Sequence, residues 1–525
     1  MSHPITLSGV TVAWPDGSPV LDRSDAVFST GRTGLIGDNG TGKTTILRLL
    51  AGELAPTTGT LTRTGDVAYL PQQLTLRSGM SVAGLLGIRS RLAALDAIEA
   101  GDPDPRHFSL IGDDWDIEAR SRALLDATGL TTVGLDRPVE TLSGGEAVLT
   151  ALIGIQLADT SIALLDEPTN NLDRQSRARL RDLVAGWRGT LVVVSHDVEL
   201  LELMDSTVEL RDRRLTAYGG PYSLYREQLA REQAAAEQAV RTAEQTLKVE
   251  KRQRIEAETM LARRRSYAKT DYLNKRRPKI IMNLRKAEAQ VSAGKLRDDL
   301  GKAVDAAECT LREQESRVRR ESHIRIDLPD PEVPAGRRLL ELVDAHGTAH
   351  IMQGPERLAL TGRNGAGKTR LLETLFHDAD TYPRLFAHTG RIGYLPQRLD
   401  HLDDGQEVVE SIRAAAPAAD PQQVRANLAR FLFTGDDIHR RVGDLSGGER
   451  FRVALARLLL AEPTHQLLLL DEPTNNLDLN SIDEVVSALS NYHGGLVVIS
   501  HDEAFLGRLE IDTRLELQEG LLTRS

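Results

Sequence analysis

The feature that most constrains this chain is a set of five motifs that occurs twice, in the same order. The two copies are 325 residues apart at the first two motifs and 303 to 305 residues apart at the last three. A repeat of this kind indicates a duplicated domain with small length changes between the copies. The paired motifs are the glycine-rich segments 37–44 and 362–369, the Tyr-Leu-Pro-Gln segments 69–72 and 394–397, the Leu-Ser-Gly-Gly-Glu segments 142–146 and 445–449, the Leu-Asp-Glu-Pro-Thr-Asn-Asn-Leu-Asp segments 165–173 and 470–478, and the Ser-His-Asp segments 195–197 and 500–502.

The duplication divides the 525 residues into three predicted segments. The first copy spans 1–225, a connector spans 226–322, and the second copy spans 323–525. In each copy, apolar β-rich runs such as 190–194 and 495–499 alternate with helical patterns. Continuous apolar runs of this length are typical of strands buried on both faces. The predicted fold class is therefore α/β, with a mostly parallel sheet in each copy.

The connector has the pattern of two long helices. No proline lies between Pro221 and Pro278, and apolar residues recur at heptad-like intervals on both sides of Pro278. This pattern predicts an antiparallel helical hairpin whose first helix runs from Arg226 to about Ala262 and whose tip lies near 263–283. The apolar stripes are Leu229, Ala236, Val240, Ala243 and Leu247 in the first helix, and Leu300, Val304, Ala307 and Leu311 in the second.

Charge is distributed unevenly along the chain. The net charge of −11 divides into +9 for residues 226–320, which contain 24 Lys or Arg and 15 Asp or Glu, and −20 for the rest. Within 262–286 there are ten basic residues and one acidic residue, Asp271. A localised basic segment on an acidic protein indicates an anionic partner for that segment.

Composition excludes several classes of protein. The single cysteine, Cys309, rules out a disulfide framework and any zinc ribbon or iron–sulfur cluster that needs several cysteines. No run of 18 consecutive apolar residues is present, so a membrane-spanning helix is not expected. The first residues lack the basic start and apolar stretch of a signal peptide. We therefore expect a soluble, cytoplasmic protein.

The glycine-rich segments fit the pattern G-x-x-x-x-G-K-T, and each follows a predicted strand and precedes an apolar helix. Glycines allow backbone N–H groups to surround phosphate oxygens, and the start of the helix adds positive potential. Lys43 and Lys368 would reach the β- and γ-phosphates, while Thr44 and Thr369 would bind Mg²⁺. The candidate nucleotide-binding residues are Gly37, Asn39, Gly40, Gly42, Lys43, Thr44 and Thr45 in the first copy, and Gly362, Asn364, Gly365, Gly367, Lys368 and Thr369 in the second.

Each copy also contains an apolar strand that ends in Asp-Glu and a histidine that follows another strand. At the end of a strand both carboxylates can approach a nucleotide, the first in the magnesium shell and the second as general base for water. A lone histidine is often structural, but its recurrence favours contact with the γ-phosphate or the attacking water. These candidates are Asp166, Glu167 and His196 in the first copy, and Asp471, Glu472 and His501 in the second.

Together these motifs resemble the ATPase domain of the ATP-binding-cassette (ABC) family. In that family two cassettes bind head to tail, and each ATP lies between the phosphate loop of one and the signature serine of the other. The resemblance implies that Lys43 faces Ser446 and that Lys368 faces Ser143. The other residues it implies are the signature glycines Gly144, Gly145, Gly447 and Gly448, the magnesium- and water-contacting glutamines Gln72 and Gln397, and the inter-cassette aspartates Asp173 and Asp478.

The two copies depart from the family pattern in different ways. After the signature motif the second copy continues with Arg450-Phe451-Arg452, as the family does, whereas the first has Ala147-Val148-Leu149. Equal turnover at the two sites is therefore in doubt. Trp14 is a candidate for the aromatic residue that stacks on adenine, although a core position is an equal alternative. No counterpart is evident in the second copy.

Two fused cassettes joined by a long charged helical connector resemble the ABC-F family, and so does the segment Tyr218–Tyr225. Members of that family are ribosome-binding ATPases, in which the connector tip reaches toward the tRNA and the peptidyl-transferase centre. Basic residues at the tip would neutralise phosphates, and tyrosines would stack on bases; the alternative is a merely solvated coiled-coil tip. The candidate RNA-binding residues are Arg263, Arg264, Arg265, Lys269, Lys275, Arg276, Arg277 and Lys279.

Several functions remain open within this resemblance. The family includes antibiotic-resistance proteins and housekeeping translation factors. The long connector and the short stretch 81–140 favour a resistance protein. A transporter's ATP-binding subunit would leave the basic hairpin unexplained. A chromosome-organising or repair ATPase would split one cassette around the coil or carry zinc cysteines, and this chain does neither.

Overall fold

The computed structural model describes residues 3–14, 17–74, 79–170, 172–273, 279–318, 328–377, 382–475 and 477–524. The side chains of 268, 269 and 271–290 also lie outside the described part. The chain forms two compact units. One contains Met1–Tyr222 and Ser322–Ser525, and the other is Ser223–Glu321.

The first copy is built on a six-stranded sheet whose first five strands are parallel. The apolar runs at its centre are fully buried, as the sequence predicts for strands covered on both faces. A separate three-stranded antiparallel sheet packs beside it. In spatial order the strands are Val67–Leu70, Ile162–Asp166, Thr190–Val194, Gly31–Ile36, Ser206–Arg211 and the antiparallel Arg214–Gly219, then Pro19–Phe28, Ile5–Ala13 and Thr58–Arg63 in the smaller sheet.

The second copy repeats this topology strand for strand. Its six-stranded sheet is Ile392–Leu395, Leu467–Asp471, Gly495–Ile499, Arg357–Thr361, Thr513–Gln518 and the antiparallel Leu521–Arg524, and its smaller sheet is Ala349–Gln353, Arg338–Val343 and Arg384–Ala387. In both copies every functional motif except the signature motif lies at or just after the carboxyl end of a parallel strand, and these ends meet at one edge of the sheet. The fold therefore gathers segments that are far apart in sequence.

Helices cover the sheets and form the remaining core. The helix after each signature motif is largely buried against its neighbours, with a second helix beginning just after each inter-cassette aspartate. The helices of the first copy are Lys43–Ala51, Val82–Leu85, Arg89–Glu99, Pro105–Ile111, Ile117–Ala127, Gly144–Leu157, Arg174–Ala185 and Val198–Leu201. Those of the second copy are Lys368–Glu373, Val408–Ala415, Pro421–Arg430, Gly447–Leu459, Leu479–Ser490 and Glu503–Arg508.

The connector forms two long helices, Tyr222–Leu273 and Lys279–Arg317. Their 52 and 39 residues correspond to lengths of roughly 78 and 58 Å. The two helices pair, since Lys251 Nζ lies 2.9 Å from Glu308 Oε1. The predicted apolar stripes form the buried side of the two connector helices. Leu229, Ala243, Val304 and Ala307 are each less than 9 % exposed.

The sequence-based prediction placed the end of the first helix too early. The helix does not end at Ala262 but continues to Leu273, through the basic segment. Arginine and lysine are good helix formers, so a charged segment need not interrupt a helix. The residues 274–278, where Pro278 was expected to reverse the chain, lie outside the described residues.

Candidate functional site: two nucleotide sites

Each glycine-rich segment forms a tight loop whose lysine folds over it. Lys43 Nζ donates to the carbonyls of Gly37 and Asp38 at 2.7 and 3.0 Å. Lys368 Nζ makes the same contacts with Gly362 and Arg363 at 2.7 and 3.1 Å. Burial lowers the pKa of both ammonium groups. A buried ammonium that donates to neutral loop carbonyls is suited to anionic phosphate oxygens, which bind it more strongly.

The phosphate loop of the first copy lies against the strand Pro19–Phe28. Gly42 has a φ of 102°, and a Cβ placed there would lie 2.3 Å from Val20 Cγ1. Glycine is therefore required at this position. Val20 is the second residue of that strand, and Trp14, which is 43 % exposed, follows the strand Ile5–Ala13. Trp14 is therefore not in the core, and its contact with adenine stays a prediction.

The Asp-Glu pair ends the second parallel strand of each sheet. Asp166 and Asp471 are 1 % exposed, and burial raises the pKa of both carboxyl groups. The next residues, Glu167 and Glu472, have φ values of 48° and 47°. This left-handed backbone is uncommon for a residue other than glycine, and it redirects the glutamate side chain at the strand end.

The aspartates have oxygens with no hydrogen bond from the described residues: Oδ1 of Asp166 and both oxygens of Asp471. Buried carboxylate oxygens without a partner are unstable unless a cation or a proton compensates them. Thr44 and Thr369 lie beside these carboxylates. Hydroxyl and carboxylate oxygens are ligands that suit Mg²⁺, so the residues fit a magnesium-nucleotide complex.

At the first site the glutamate is associated with its histidine. His196 Nε2 lies 2.9 Å from Glu167 Oε1; the glutamate side chain is buried, and that of the histidine is 12 % exposed. Burial opposes ionisation of Glu167, but His196 and Lys43 outweigh it and lower the pKa of this carboxyl. Glu167 is therefore held as a carboxylate, the form that can accept a proton from water.

At the second site the histidine lies close to the phosphate-loop lysine as well as to the glutamate. His501 Nε2 lies 3.0 Å from Lys368 Nζ and 3.4 Å from Glu472 Oε1. Burial, together with the charges of Lys368 and Arg177, lowers the pKa of His501 to about 3. Burial raises the pKa of Glu472 to about 7. The pKa values of Glu167 and Glu472 are therefore shifted in opposite directions, although the two glutamates lie in the same motif.

A cavity of about 480 Å³ marks the second site. The residues from the second copy include the phosphate loop, the acid pair, Gln397 and His501; Leu172 and Arg177 come from the first copy. Sequence reasoning missed Arg177. A comparison of the copies could have found it, because Arg177 and Ile482 stand at the same distance after Asp173 and Asp478.

Comparison with known proteins decides the family. A profile described as ABC transporter matches residues 24–170 and 348–475. The chain belongs to the ABC transporter family. It is 31 % identical to the tylosin resistance ATP-binding protein TlrC of Streptomyces fradiae, over 99 % of this chain and 98 % of that protein. It is 29 % identical to the probable ATP-binding protein YheS of Escherichia coli K12, over 93 % of this chain and 75 % of that protein.

Solved structures share the fold. An archaeal ribosome recycling factor, aABCE1, in complex with the stalk protein aP1, matches with a TM-score of 0.58 and 18 % identity, covering 97 % of this chain and 87 % of that chain. A structure described as RNase-L inhibitor matches with a TM-score of 0.55. The chain is thus a tandem ATP-binding-cassette ATPase of the ABC-F type, and the predicted fold class is confirmed. Within the described residues no helix is long and apolar enough to cross a membrane.

The two cassettes contact each other through their phosphate loops. The backbone N–H of Asn39 donates to Asp478 Oδ2 at 2.7 Å, and that of Asn364 donates to Asp173 Oδ2 at 3.4 Å. Asn480 Nδ2 also donates to Asp38 Oδ1 at 2.7 Å. Each phosphate loop is therefore bound by the aspartate loop of the other cassette.

The signature serines cap the helices that follow them. Ser143 and Ser446 each accept from the N–H of a glutamate three residues later, and that glutamate accepts from the serine N–H. This reciprocal capping box fixes the start of each helix. Gly144, Gly145, Gly447 and Gly448 form the first turns, whose N–H groups are suited to phosphate oxygens. The pairing of each serine with the opposite lysine stays a prediction.

For the remaining predicted residues the structure gives position and exposure. Gln72 and Gln397 follow the strands that flank the acid pairs, and both are exposed.

In the connector, Arg263, Arg264 and Arg265 are exposed on the first helix. Lys269 and Lys279 lie in helices, but their side chains are outside the described part, as are Lys275, Arg276 and Arg277 entirely. The other candidates, Gly40, Thr45, Gly365 and Gly367, lie in the loops or their helices.

Proposed function

We propose that this protein is an ABC-F ATPase that binds the ribosome through its connector and protects it from antibiotics. The observation that carries the proposal is the similarity to a tylosin resistance protein over nearly the full length of both chains. Similarity that spans both cassettes and the connector includes the parts that would recognise a partner, not only those that hydrolyse ATP. The +9 charge of residues 226–320 gives the connector the sign needed for ribosomal RNA.

Two ATP molecules would bind between the cassettes, each with one Mg²⁺. Thr44, Gln72 and Asp166 would hold the ion at the first site, and Thr369, Gln397 and Asp471 at the second. Among the described residues, no three His, Cys, Asp or Glu side chains could hold a metal together, so phosphate oxygens would complete its shell. The ion would neutralise charge on the β- and γ-phosphates.

Hydrolysis would use the buried glutamates as bases. A water oxygen forms a bond to the γ-phosphorus, the bond from that phosphorus to the ADP oxygen breaks, and the water proton passes to Glu167 or Glu472. ADP and inorganic phosphate are the products. Lys43 and Lys368 would leave their loop carbonyls to bind the phosphates, and His196 and His501 would orient the γ-phosphate or the water.

The connector would bind RNA near its tip. Arg263, Arg264 and Arg265 are consecutive, exposed and without an acidic neighbour in sequence from 259 to 270. Tyr267 is 77 % exposed two residues further along the same helix, so its ring is accessible to a partner. Arginines would bind phosphates and the ring would stack on an unpaired base. Insertion toward the tRNA and the peptidyl-transferase centre would follow from ATP-driven closure of the cassettes.

The test is sedimentation of the Glu167→Gln/Glu472→Gln protein with 70S ribosomes, with and without ATP. We expect ATP-dependent co-sedimentation, because closure no longer leads to hydrolysis and release. A Lys43→Ala/Lys368→Ala protein is the matched control, since it should neither bind ATP nor co-sediment. Failure of the glutamine variant to co-sediment while it still binds ATP would refute the ribosomal function and favour a transporter subunit.

A second measurement separates drug protection from housekeeping translation. Ribosomes are programmed for synthesis in vitro, inhibited with tylosin, and then given the wild-type protein with ATP. Recovery of synthesis supports protection. Ribosome binding without recovery for tylosin or other drugs of the same tunnel site would favour a translation factor instead.

A further inference from the structure

Arg177 belongs to the first cassette but lines the nucleotide cavity of the second. It shares that cavity with Lys368, Glu472 and His501. Its charge acts on the same groups, since it favours the ionised form of Glu472 and the neutral form of His501. A guanidinium supplied to one site from the opposite cassette has the position of a residue that acts in trans.

The side chain is held rigidly. Arg177 lies in the first turn of the helix Arg174–Ala185, which is capped by Asp173. Its Nε donates to the carbonyl of Leu172 at 3.2 Å, and its Nη1 donates to Asp197 Oδ2 at 3.3 Å. The arginine side chain is 13 % exposed and that of Asp197 is 7 % exposed. Two anchors fix the planar guanidinium without using all five of its N–H groups.

The unused donors are on Nη2. In the part of the chain that the structure describes, Nη2 of Arg177 makes no hydrogen bond or ion pair. A largely buried guanidinium with N–H groups available beside a cavity fits an anionic ligand, because arginine binds phosphate oxygens with two parallel hydrogen bonds. Lys368 already identifies the phosphate end of this cavity.

The equivalent position at the first site does not hold a cation. The position equivalent to Arg177 in the second cassette is Ile482, which is 6 % exposed and packs in the hydrophobic core of its own cassette. An isoleucine cannot donate a hydrogen bond. The two composite sites therefore differ in the charge that the opposite cassette contributes.

We propose that Arg177 binds the γ-phosphate of ATP at the second site, in trans, and stabilises the charge that develops there during hydrolysis. This inference rests on the proposed assignment of the cavity as the second ATP site. The bond changes are those of hydrolysis: water adds to the γ-phosphorus, ADP leaves, and the water proton passes to Glu472. Arg177 gives up no proton and supplies only hydrogen bonds and positive charge.

Single-site proteins test this role. In a Glu167→Gln background only the second site hydrolyses ATP, and in a Glu472→Gln background only the first does. Conversion of bound ATP to ADP is measured with enzyme in excess, so that repeated turnover is not needed. Arg177→Gln should slow the second site by about tenfold or more and change the first site by less than about twofold. ATP affinity should fall less than the rate.

Two further variants separate this role from a structural one. Arg177→Gln alone leaves Asp197 buried without its partner, so the Arg177→Gln/Asp197→Asn protein removes both charges together. Arg174→Gln is the matched control. Arg174 lies on the same helix and forms an ion pair with Glu503 of the other cassette at 3.4 Å, but it is 74 % exposed and does not line the cavity.

The outcomes are distinct. A selective loss at the second site in both Arg177 variants, partial recovery in Arg177→Lys, and no effect of Arg174→Gln support the proposal. Equal slowing of both sites, or no slowing of either, would overturn it and leave Arg177 a structural residue. If the parent Glu167→Gln protein converts no ATP while it binds ATP, the cavity is not a hydrolytic site and this inference fails, whereas the ribosomal function is tested separately by sedimentation of the Glu167→Gln/Glu472→Gln protein.

Discussion

Asp478 accepts a hydrogen bond from the backbone N–H of Asn39, 2.7 Å across the boundary between the two cassettes. The reciprocal bond, from Asn364 to Asp173, is longer at 3.4 Å. The contact at the first phosphate loop is also reinforced, because Asn480 donates to Asp38 beside it. The two contacts are therefore related by the duplication but differ in the lengths of these hydrogen bonds.

The difference in length between these two hydrogen bonds predicts that substitutions of the two aspartates will weaken ATP binding to different extents. Asp478→Ala should weaken ATP binding at the first site by roughly fivefold, because a close charge-assisted hydrogen bond is lost. Asp173→Ala should have a smaller effect at the second site. Each aspartate also caps a helix, through Ser481 and Ser176 respectively, so the loss of the cap is common to both variants. Titration of single-site proteins with ATP measures the difference, and equal losses would contradict it.

The glutamates predict different pH dependence at the two sites. Because burial raises the pKa of Glu472 to about 7, this base is protonated, and inactive, at lower pH. Single-turnover hydrolysis in the Glu167→Gln background should therefore be about tenfold faster at pH 8 than at pH 6. In the Glu472→Gln background the pKa of Glu167 is lowered, so the rate should change little over this range. A flat profile at the second site would show that Glu472 is ionised throughout.

The signature serines test the head-to-tail pairing. Ser446→Ala should impair hydrolysis at the site of Lys43, and Ser143→Ala should impair it at the site of Lys368. Both variants lose a capping box and should each lose about 1 kcal/mol in the free energy of unfolding. Because both variants should lose the same amount of stability, denaturant unfolding of each protein is the control: equal stabilities would show that a difference between the sites does not come from unfolding. Impairment of the site in the same cassette as the substituted serine would exclude the predicted pairing.

The central strands of the two large sheets could be predicted from the sequence. Strands Thr190–Val194 and Gly495–Ile499 have the predicted bounds, because strands buried on both faces must be continuously apolar. The first connector helix was harder, since Leu273 and not Ala262 ends it and basic residues preserve helical propensity. Helix ends without a proline, a glycine or a cap carry little local signal.

The electrostatic difference between the sites could not be predicted from their motifs. Glu167 and Glu472 occupy identical local sequences, yet His196 lies 2.9 Å from the first and His501 lies 3.4 Å from the second. The cause is tertiary: His501 contacts Lys368, and Arg177 adds charge from the other cassette. Such contacts join residues that lie far apart in sequence, which no local pattern records.

The basic segment of the connector predicts a salt-dependent loss of ribosome binding. Reversing Arg263, Arg264 and Arg265 to glutamate should abolish ATP-dependent co-sedimentation at physiological salt while ATP hydrolysis in solution is retained. Replacing them with glutamine should lower the slope of log affinity against log salt by about 2, because each phosphate contact releases a counterion. The control is the same reversal at Lys302, Arg312 and Arg317.

That control changes the charge of the same hairpin by the same amount. It differs in that each of its cations pairs with an acid one turn away on its own helix: Asp298, Glu308 and Glu313. Cations already paired in this way have little free charge to offer RNA, so their reversal should weaken binding much less. Equal loss in both proteins would mean that the hairpin acts through its total charge. Loss in neither would exclude the segment 263–265 from the contact.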